Sequence, residues 1–326
     1  MSARAKLHGG VDLGGTKIQT VVLGQRGKVR GEAREETPTS GGPEAVTDAI
    51  ASAMREAAQA ADVDPADLAA VGVGSPGEVD ETAGTVAQAR NLPDWDGVFP
   101  LAARLGEALG TGVAVSNDVR VATRAEFQLG AGKPYRSVLG VFWGTGVGGG
   151  LILDGRPWLG RGAAGEIGHT VVKIGGRRCG CGRRGCLEAY AGRASMENKA
   201  RRLVEEGNQH TELFEIMEKR GRTRLTSGVW ERALGREDPV ATQLIHEAVE
   251  ALGAGIASAV NLLDVEAVII GGGLGTRLGE PYVARIRDAM MPHLFVDNRP
   301  PAVHLAALGD LGGAIGAALL ARSARR

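Results

Sequence analysis

The sequence carries no surplus of either charge: 38 lysines and arginines stand against 38 aspartates and glutamates. Without a net field to gather a polyanion, nucleic acid and anionic membranes are set aside as partners. Long apolar runs are also absent, and none nears the ~20 residues that a bilayer crossing requires. Arg4 and Lys6 have no apolar segment behind them, because His8-Gly9-Gly10 follows at once. That is no secretory leader, so the expected location is the cytoplasm. Lysine is scarce, 7 against 31 arginines, which reads as a high-GC coding bias. Cysteine is scarcer still. Its three copies, Cys179, Cys181 and Cys186, share one eight-residue window. An odd, clustered count suits a metal site in a reducing compartment, not a disulfide framework.

What is present suggests two cores. At 326 residues the chain is near the length where single cores stop growing. Its 51 glycines, about twice the ordinary share, fall in short runs that imply tight turns and close backbone approach to a ligand. Strands are expected over Leu7–Asp12, Lys17–Leu23 and Val29–Glu36, joined by glycine turns. An amphipathic helix follows, with Val46, Ala49, Ile50, Ala53, Met54 and Ala57 on one face. A strand over Leu68–Val73, a helix over Leu101–Leu109, a strand over Val113–Val115 and a helix over Val119–Leu129 complete this half.

The second half opens in the same way, with Val138–Trp143, the turn Gly144-Thr145-Gly146, and Gly149–Leu153. Later come a long helix over Pro239–Leu263, a strand Ala267–Ile270 running into Gly271-Gly272-Gly273, and a helix near Tyr282–Met291. A strand Val303–Ala306 and a helix Leu311–Ala321 end it. Hairpins followed by alternating strands and helices give an α/β fold of two lobes, each a mixed sheet flanked by helices, with an interlobe cleft. The stretch from about Gly160 to Gly192 has weak periodicity and holds the cysteines, so function-bearing loops are expected there.

Asp12-Leu13-Gly14-Gly15-Thr16-Lys17 sits between two strands. Its glycines let N–H groups approach an anion, Thr16 adds a hydroxyl, and Asp12 stands where an Mg²⁺ bridging phosphates needs an oxygen ligand. It is neither a Walker loop nor a dinucleotide fingerprint, and a ligand-free glycine hairpin would look alike. Gly144-Thr145-Gly146 repeats this chemistry at the matching place in the second half. Gly272 and Gly273 either bring backbone against a nucleotide or merely join strand to helix.

Ser116-Asn117-Asp118 ends a short strand just before a helix. Phosphoryl transfer needs a group that orients the attacking hydroxyl and takes its proton, and Asp118 is the candidate; an Asn-Asp pair there also reads as an N-cap. Glu166 and His169 bring a carboxylate and an imidazole into one glycine-flanked turn, which suits a polyol. Cys179, Cys181 and Cys186 form C-x-C-x₄-C with His169 ten residues upstream. Three thiolates and one imidazole make a closed tetrahedral Zn²⁺ shell, structural rather than catalytic.

These motifs, in this order and spacing, resemble the ROK family of repressors and sugar kinases, within the actin-like (ribonuclease H-like) superfamily. The resemblance runs from about Gly10 to Ala317 and rests on Asp12 to Lys17, Asn117-Asp118, Gly144 to Gly150, Gly165-Glu166-Ile167-Gly168-His169 and the cysteine cluster ending in Leu187-Glu188. It implies two actin-like lobes: a small one over 1–118, completed by the C-terminal helix at about 311–326, and a large one over 119–310 that holds the zinc knot. It further implies ATP with Mg²⁺, one structural Zn²⁺, and transfer of the γ-phosphoryl to a hexose, glucose first, with Asp118 as general base. Asn91, Asn117, Glu166, His169 and Glu188 carry over as sugar ligands, and His169 would serve zinc and sugar through its two nitrogens. Family members are usually homodimers or homotetramers.

Two departures stand out beside Ala125, which replaces a glycine common before Glu126. Arg120 replaces an asparagine common after Asn-Asp-Ala, and the loop Leu159-Gly160-Arg161-Gly162-Ala163 is one residue shorter than usual. The competing readings are a kinase for N-acetylmannosamine, N-acetylglucosamine, fructose, mannose or allose, or a polyphosphate-using kinase. A sugar-sensing regulator is a further reading, although about ten residues ahead of Asp12 leave no room for a helix-turn-helix. An actin-like ATPase without a small acceptor would leave Glu166, His169 and Glu188 unexplained.

Overall fold

The computed structural model describes residues 6–89, 91–207 and 209–323; Arg4, read above as part of a non-leader, lies outside them. The chain divides into two compact units. The first takes in the chain up to Lys133, Gly160–Gly162 and the chain from Ala307 on; the second takes in Pro134–Leu159 and Ala163–Ala306.

In the first unit β1 (His8–Leu13), β2 (Lys17–Leu23) and β3 (Val29–Glu36) form an antiparallel meander. Helix α1 (Gly42–Ala60) starts after Gly41, whose φ of 89° only glycine takes without strain, and has Pro43 in its first turn. The stripe Val46, Ile50, Ala53, Met54 and Ala57 is fully buried, each large side chain contributing about 1.5–3 kcal/mol. β4 (Val71–Ser75) lies parallel to β1. A small three-stranded sheet follows, β5 (Glu78–Asp80), β6 (Thr85–Ala87) and β7 (Val98–Phe99), which the sequence did not announce because its strands are two or three residues long. Then come α2 (Leu101–Leu109), β8 (Val113–Asn117) and α3 (Asp118–Leu129). The main sheet runs β3-β2-β1-β4-β8.

The second unit has the same plan. β9 (Val138–Trp143), β10 (Val147–Leu153) and β11 (Arg156–Pro157) form the meander. Four helices follow, α4 (Glu188–Ala191), α5 (Arg193–Glu205), α6 (Leu213–Lys219) and α7 (Ser227–Leu234). α8 (Pro239–Leu263) is capped by Asp238, a buried carboxylate that accepts from the Ala241 N–H at 2.8 Å. β12 (Ala267–Gly271) leads directly into α9 (Gly272–Met290). The helix expected near Tyr282–Met291 thus begins ten residues earlier, at Gly272, and breaks at Gly279, where φ is 68° just ahead of Pro281. That break hides the first two turns from a search for periodicity. β13 (Ala302–Leu305) closes the sheet β11-β10-β9-β12-β13, parallel to β12 as β8 is to β4.

The chain ends in α10 (Gly312–Ser323), which packs on β1, β4 and α3 of the first unit. A Cβ on Gly9 would meet Met54 of α1, and one on Gly10 would meet Ala314 of α10. Successive strand residues point to opposite faces, so α1 and α10 cover opposite sides of the sheet. Gly72 and Gly316 allow the closest contacts, since a Cβ on either would strike a backbone carbonyl, of Ala317 and Val121 respectively. α3 packs on α10, and the first unit runs to Lys133.

Candidate functional site

In the first unit, the β1–β2 turn closes with the Gly14 N–H donating to the Lys17 carbonyl at 2.9 Å. The Thr37 hydroxyl donates to the Gly14 carbonyl at 2.6 Å and fixes the turn from beside β3. Gly15 and Thr16 are exposed, available to a ligand. A Cβ on Gly15 would come within 2.7 Å of the Asn91 carbonyl, so Asn91 lies against this turn. Lys17 extends its ammonium to Asp310 at 3.3 Å.

Asp12, inside β1, sits over the first turn of α10, where a Cβ on Gly313 would fall 2.5 Å from its carboxyl. Its pKa is pushed up to about 7, first by burial and then by the like charges of Asp118 and Asp310, with Lys17 pulling the other way. Asp12 and Asp118 therefore share one electrostatic neighbourhood. Asn117 caps α3, its side-chain oxygen accepting from the N–H groups of Val119 (3.0 Å) and Arg120 (3.3 Å). The cap reading and the ligand reading of Asn117 are compatible, because capping through oxygen leaves the amide N–H donors for another partner. Asp118 opens the helix, half-buried.

Behind Asp118 lies a network that sequence reasoning missed. Ser116 donates to Glu81 at 2.7 Å, and the Arg120 guanidinium pairs with Glu81 at 3.5 Å and donates to the Gly162 carbonyl. The two departures from the family pattern are thus bonded to each other: Arg120 holds the shortened loop. Farther along α3, the buried Glu126 accepts from the N–H groups of Ala131, Ala307 and Leu308, tying the end of α3 to the segment before α10.

In the second unit the β9–β10 turn closes with the Gly144 N–H donating to the Gly146 carbonyl at 3.0 Å. Gly272, with φ 82°, starts α9 against the Trp143 backbone, and a Cβ on Gly144 would lie 3.8 Å from the Gly273 nitrogen. The two glycine runs are therefore neighbours. Glu188 accepts from the Val147 N–H at 3.0 Å, and its other oxygen lies 3.8 Å from the Cys179 sulfur. Glu166, exposed, precedes the 3₁₀ turn Ile167–His169.

The ligand atoms of His169, Cys179, Cys181 and Cys186 all lie within 4.8 Å of one another. Cys181 and Cys186 have sulfurs 3.7 Å apart, and the Cys179 sulfur is 3.8 Å from His169 Nδ1. A tetrahedron with Zn–S bonds of ~2.3 Å has sulfur–sulfur edges of about 3.8 Å. The donor set and its spacing fit that ion. The cysteines are free, not paired, and burial pushes the Cys179 thiol up to about 12. Cys181 goes the other way, down to about 6: burial opposes ionisation, but hydrogen bonds from the Arg183 backbone and the neighbouring thiol of Cys179 outweigh it.

The sequence profile described as the ROK family matches residues 8–324. The glucokinase of Streptomyces coelicolor is 35% identical over 316 residues, 96% of each chain. An N-acetylgalactosamine kinase of Shewanella sp. is 31% identical over 96% of each chain. Among solved structures, a ROK family glucokinase from Streptomyces griseus in complex with glucose and AMPPNP is 34% identical, with a TM-score of 0.81 and coverage of 97% of this chain and 99% of that one.

Proposed function

From the premise that the chain belongs to the ROK family and is a sugar kinase, we propose that it moves the γ-phosphoryl of ATP to glucose, giving glucose 6-phosphate. The observation that carries the reading is that Asp12, just ahead of the Gly14–Lys17 turn, and Asp118 of the same unit lie close enough for their charges to act on each other. Asp118 is the general base: it accepts the proton of the attacking hydroxyl as oxygen bonds to phosphorus and the bond to the ADP oxygen breaks. Asp12 holds Mg²⁺, which neutralises the phosphate charge when bound. The Gly14–Lys17 and Gly144–Gly146 turns receive phosphates through the backbone N–H groups of Gly15, Thr16, Thr145 and Gly146, the Gly14 and Gly144 N–H groups closing the turns, with Lys17 adding charge and Gly272 and Gly273 meeting the nucleotide.

Asn91, Asn117, Glu166, His169 and Glu188 hold the sugar hydroxyls, carboxylates and amides being suited to paired hydroxyl groups. His169, Cys179, Cys181 and Cys186 hold one structural Zn²⁺, and the Nδ1 of His169 that faces Cys179 leaves Nε2 for the sugar. The reaction belongs in the cytoplasm, where ATP is supplied. A second reading, an N-acetylhexosamine kinase, keeps every role and changes only the acceptor; the 31% identity to such a kinase supports it.

The test is ATP–Mg²⁺ turnover across hexoses and N-acetylhexosamines, with Asp118→Asn alongside. Strong turnover on glucose alone, falling at least a thousandfold in Asp118→Asn while glucose still binds, is the expected result. Turnover on another sugar replaces the substrate, full activity in the variant removes Asp118 from its role, and no turnover on any sugar favours the regulator.

A further inference from the structure

Arg193 is the first residue of α5, the end of a helix where a cation is disfavoured. It is half-buried, and its guanidinium turns back over the β9–β10 turn to donate to the Thr145 hydroxyl oxygen at 2.8 Å. The backbone adds to the tie: the Arg193 N–H donates to the Gly144 carbonyl at 3.1 Å and the Ala194 N–H to the Thr145 carbonyl at 3.0 Å. Neither the resemblance nor the motifs had singled this arginine out.

Its charge is not matched by its surroundings. The carboxylate whose charge acts on it is Glu197, buried on the same helix, and that group is already engaged by Arg201 at 2.8 Å, Arg224 at 3.4 Å and the Leu225 N–H at 3.0 Å. Burial disfavours the charged Arg193, Glu197 favours it and the like charge of Arg224 opposes it, while the hydrogen bonds of Glu197 go to Arg201, Arg224 and Leu225. An arginine seated on the hydroxyl of a glycine turn, with its carboxylate neighbour bonded elsewhere, is placed to meet an anion at that turn. By accepting from Arg193, the exposed Thr145 hydroxyl is left with its own proton to donate outward.

We propose that Arg193 is a catalytic residue of the phosphoryl transfer, contacting the triphosphate of the nucleotide directly while seated on Thr145. Its remaining guanidinium N–H groups bond the phosphate oxygens, and the pair of donors from Arg193 and Thr145 tightens as negative charge spreads over the transferred group. This rests on the kinase reading above.

The experiment is titration of the full-length protein with ATP–Mg²⁺ by calorimetry, for the unmodified chain, Arg193→Gln, Arg193→Lys and Thr145→Val. It is accompanied by steady-state kinetics and nucleotide-free melting curves. Loss of a hydrogen bond to a charged group costs about 10- to 100-fold. Arg193→Gln should therefore weaken ATP binding by at least tenfold and lower kcat. The KM for the sugar and the nucleotide-free Tm should stay unchanged, with Arg193→Lys recovering part of the loss and Thr145→Val shifting ATP binding in the same direction. Unchanged ATP affinity and kcat in Arg193→Gln overturn the proposal, as does a loss shared by sugar KM and Tm, which marks a merely structural arginine. Failure of the unmodified chain to bind ATP–Mg²⁺ overturns the kinase reading itself.

Discussion

Asp12 is held in a protonation state that suits neither water nor catalysis. Its folded pKa of about 7 stands above the ordinary 3.8, so between those values the folded chain binds more protons than the unfolded one. Stability from this group therefore falls as pH rises from about 4 through 7, and the penalty is complete above 7. Asp12→Asn removes it. The variant should melt about 3 °C or more above the unmodified chain at pH 8 without nucleotide or metal, and the gain should vanish toward pH 4. Equal melting points at pH 8 would show that the carboxylate is already compensated. The same variant should lose Mg²⁺-dependent turnover, so stability and function oppose each other at one atom. The motif placed Asp12 correctly beside the turn, but the like charge of Asp118 was invisible: the two lie 106 positions apart and meet only when β1 and β8 flank β4. Arg193 was missed for a related reason, since an arginine beginning a helix signals nothing until Thr145 is seen beneath it.

At the scale of elements, the longer strands and helices were legible because periodicity and glycine breaks agree in them. β2, β3, β9, α2 and α8 fall on the residues expected. The segment over 193–235 was not read, although it contains α5, α6 and α7: these helices are short, and charged residues interrupt their apolar faces. The cysteine loop sits at the opposite extreme, with almost no regular structure and a spacing that reads directly as chemistry. Its backbone is held by two isolated bridges, Val171 with Cys186 and Arg178 with Arg184, and by turn bonds such as those from the Cys179 N–H to the Arg183 carbonyl and from the Gly185 N–H to the Arg177 carbonyl. If the four ligand side chains hold the proposed zinc, the ion adds a cross-link that these backbone bonds do not supply. Cys181→Ser should lower bound zinc from one ion per chain to none, measured by atomic emission, and drop the Tm by several degrees. Full zinc content in that variant would remove Cys181 from the shell. Glu188 extends the consequence, because its two oxygens reach the Val147 N–H and the Cys179 sulfur.

For the whole molecule, the echo between the two halves of the sequence is the topology itself: a meander of three strands followed by two parallel ones, built twice. α3 is harder to place from the sequence, because the packing that joins it to the first unit is chiefly on α10. That packing also sets a timetable. The first unit needs α10, which follows the second unit in the sequence, whereas nearly all of the second lies on one unbroken stretch before it. On the ribosome the order of synthesis and the order of completion therefore run against each other: the half begun first is finished last. Chains stalled with residue 306 just outside the exit tunnel should resist protease over 163–306 while the first 133 residues are digested, and adding the last twenty residues should protect both. Protection of the first 133 residues in the shorter chain would refute this. The cell must then keep Val11, Val73 and their neighbours from wrong partners for the whole time the second half takes to translate.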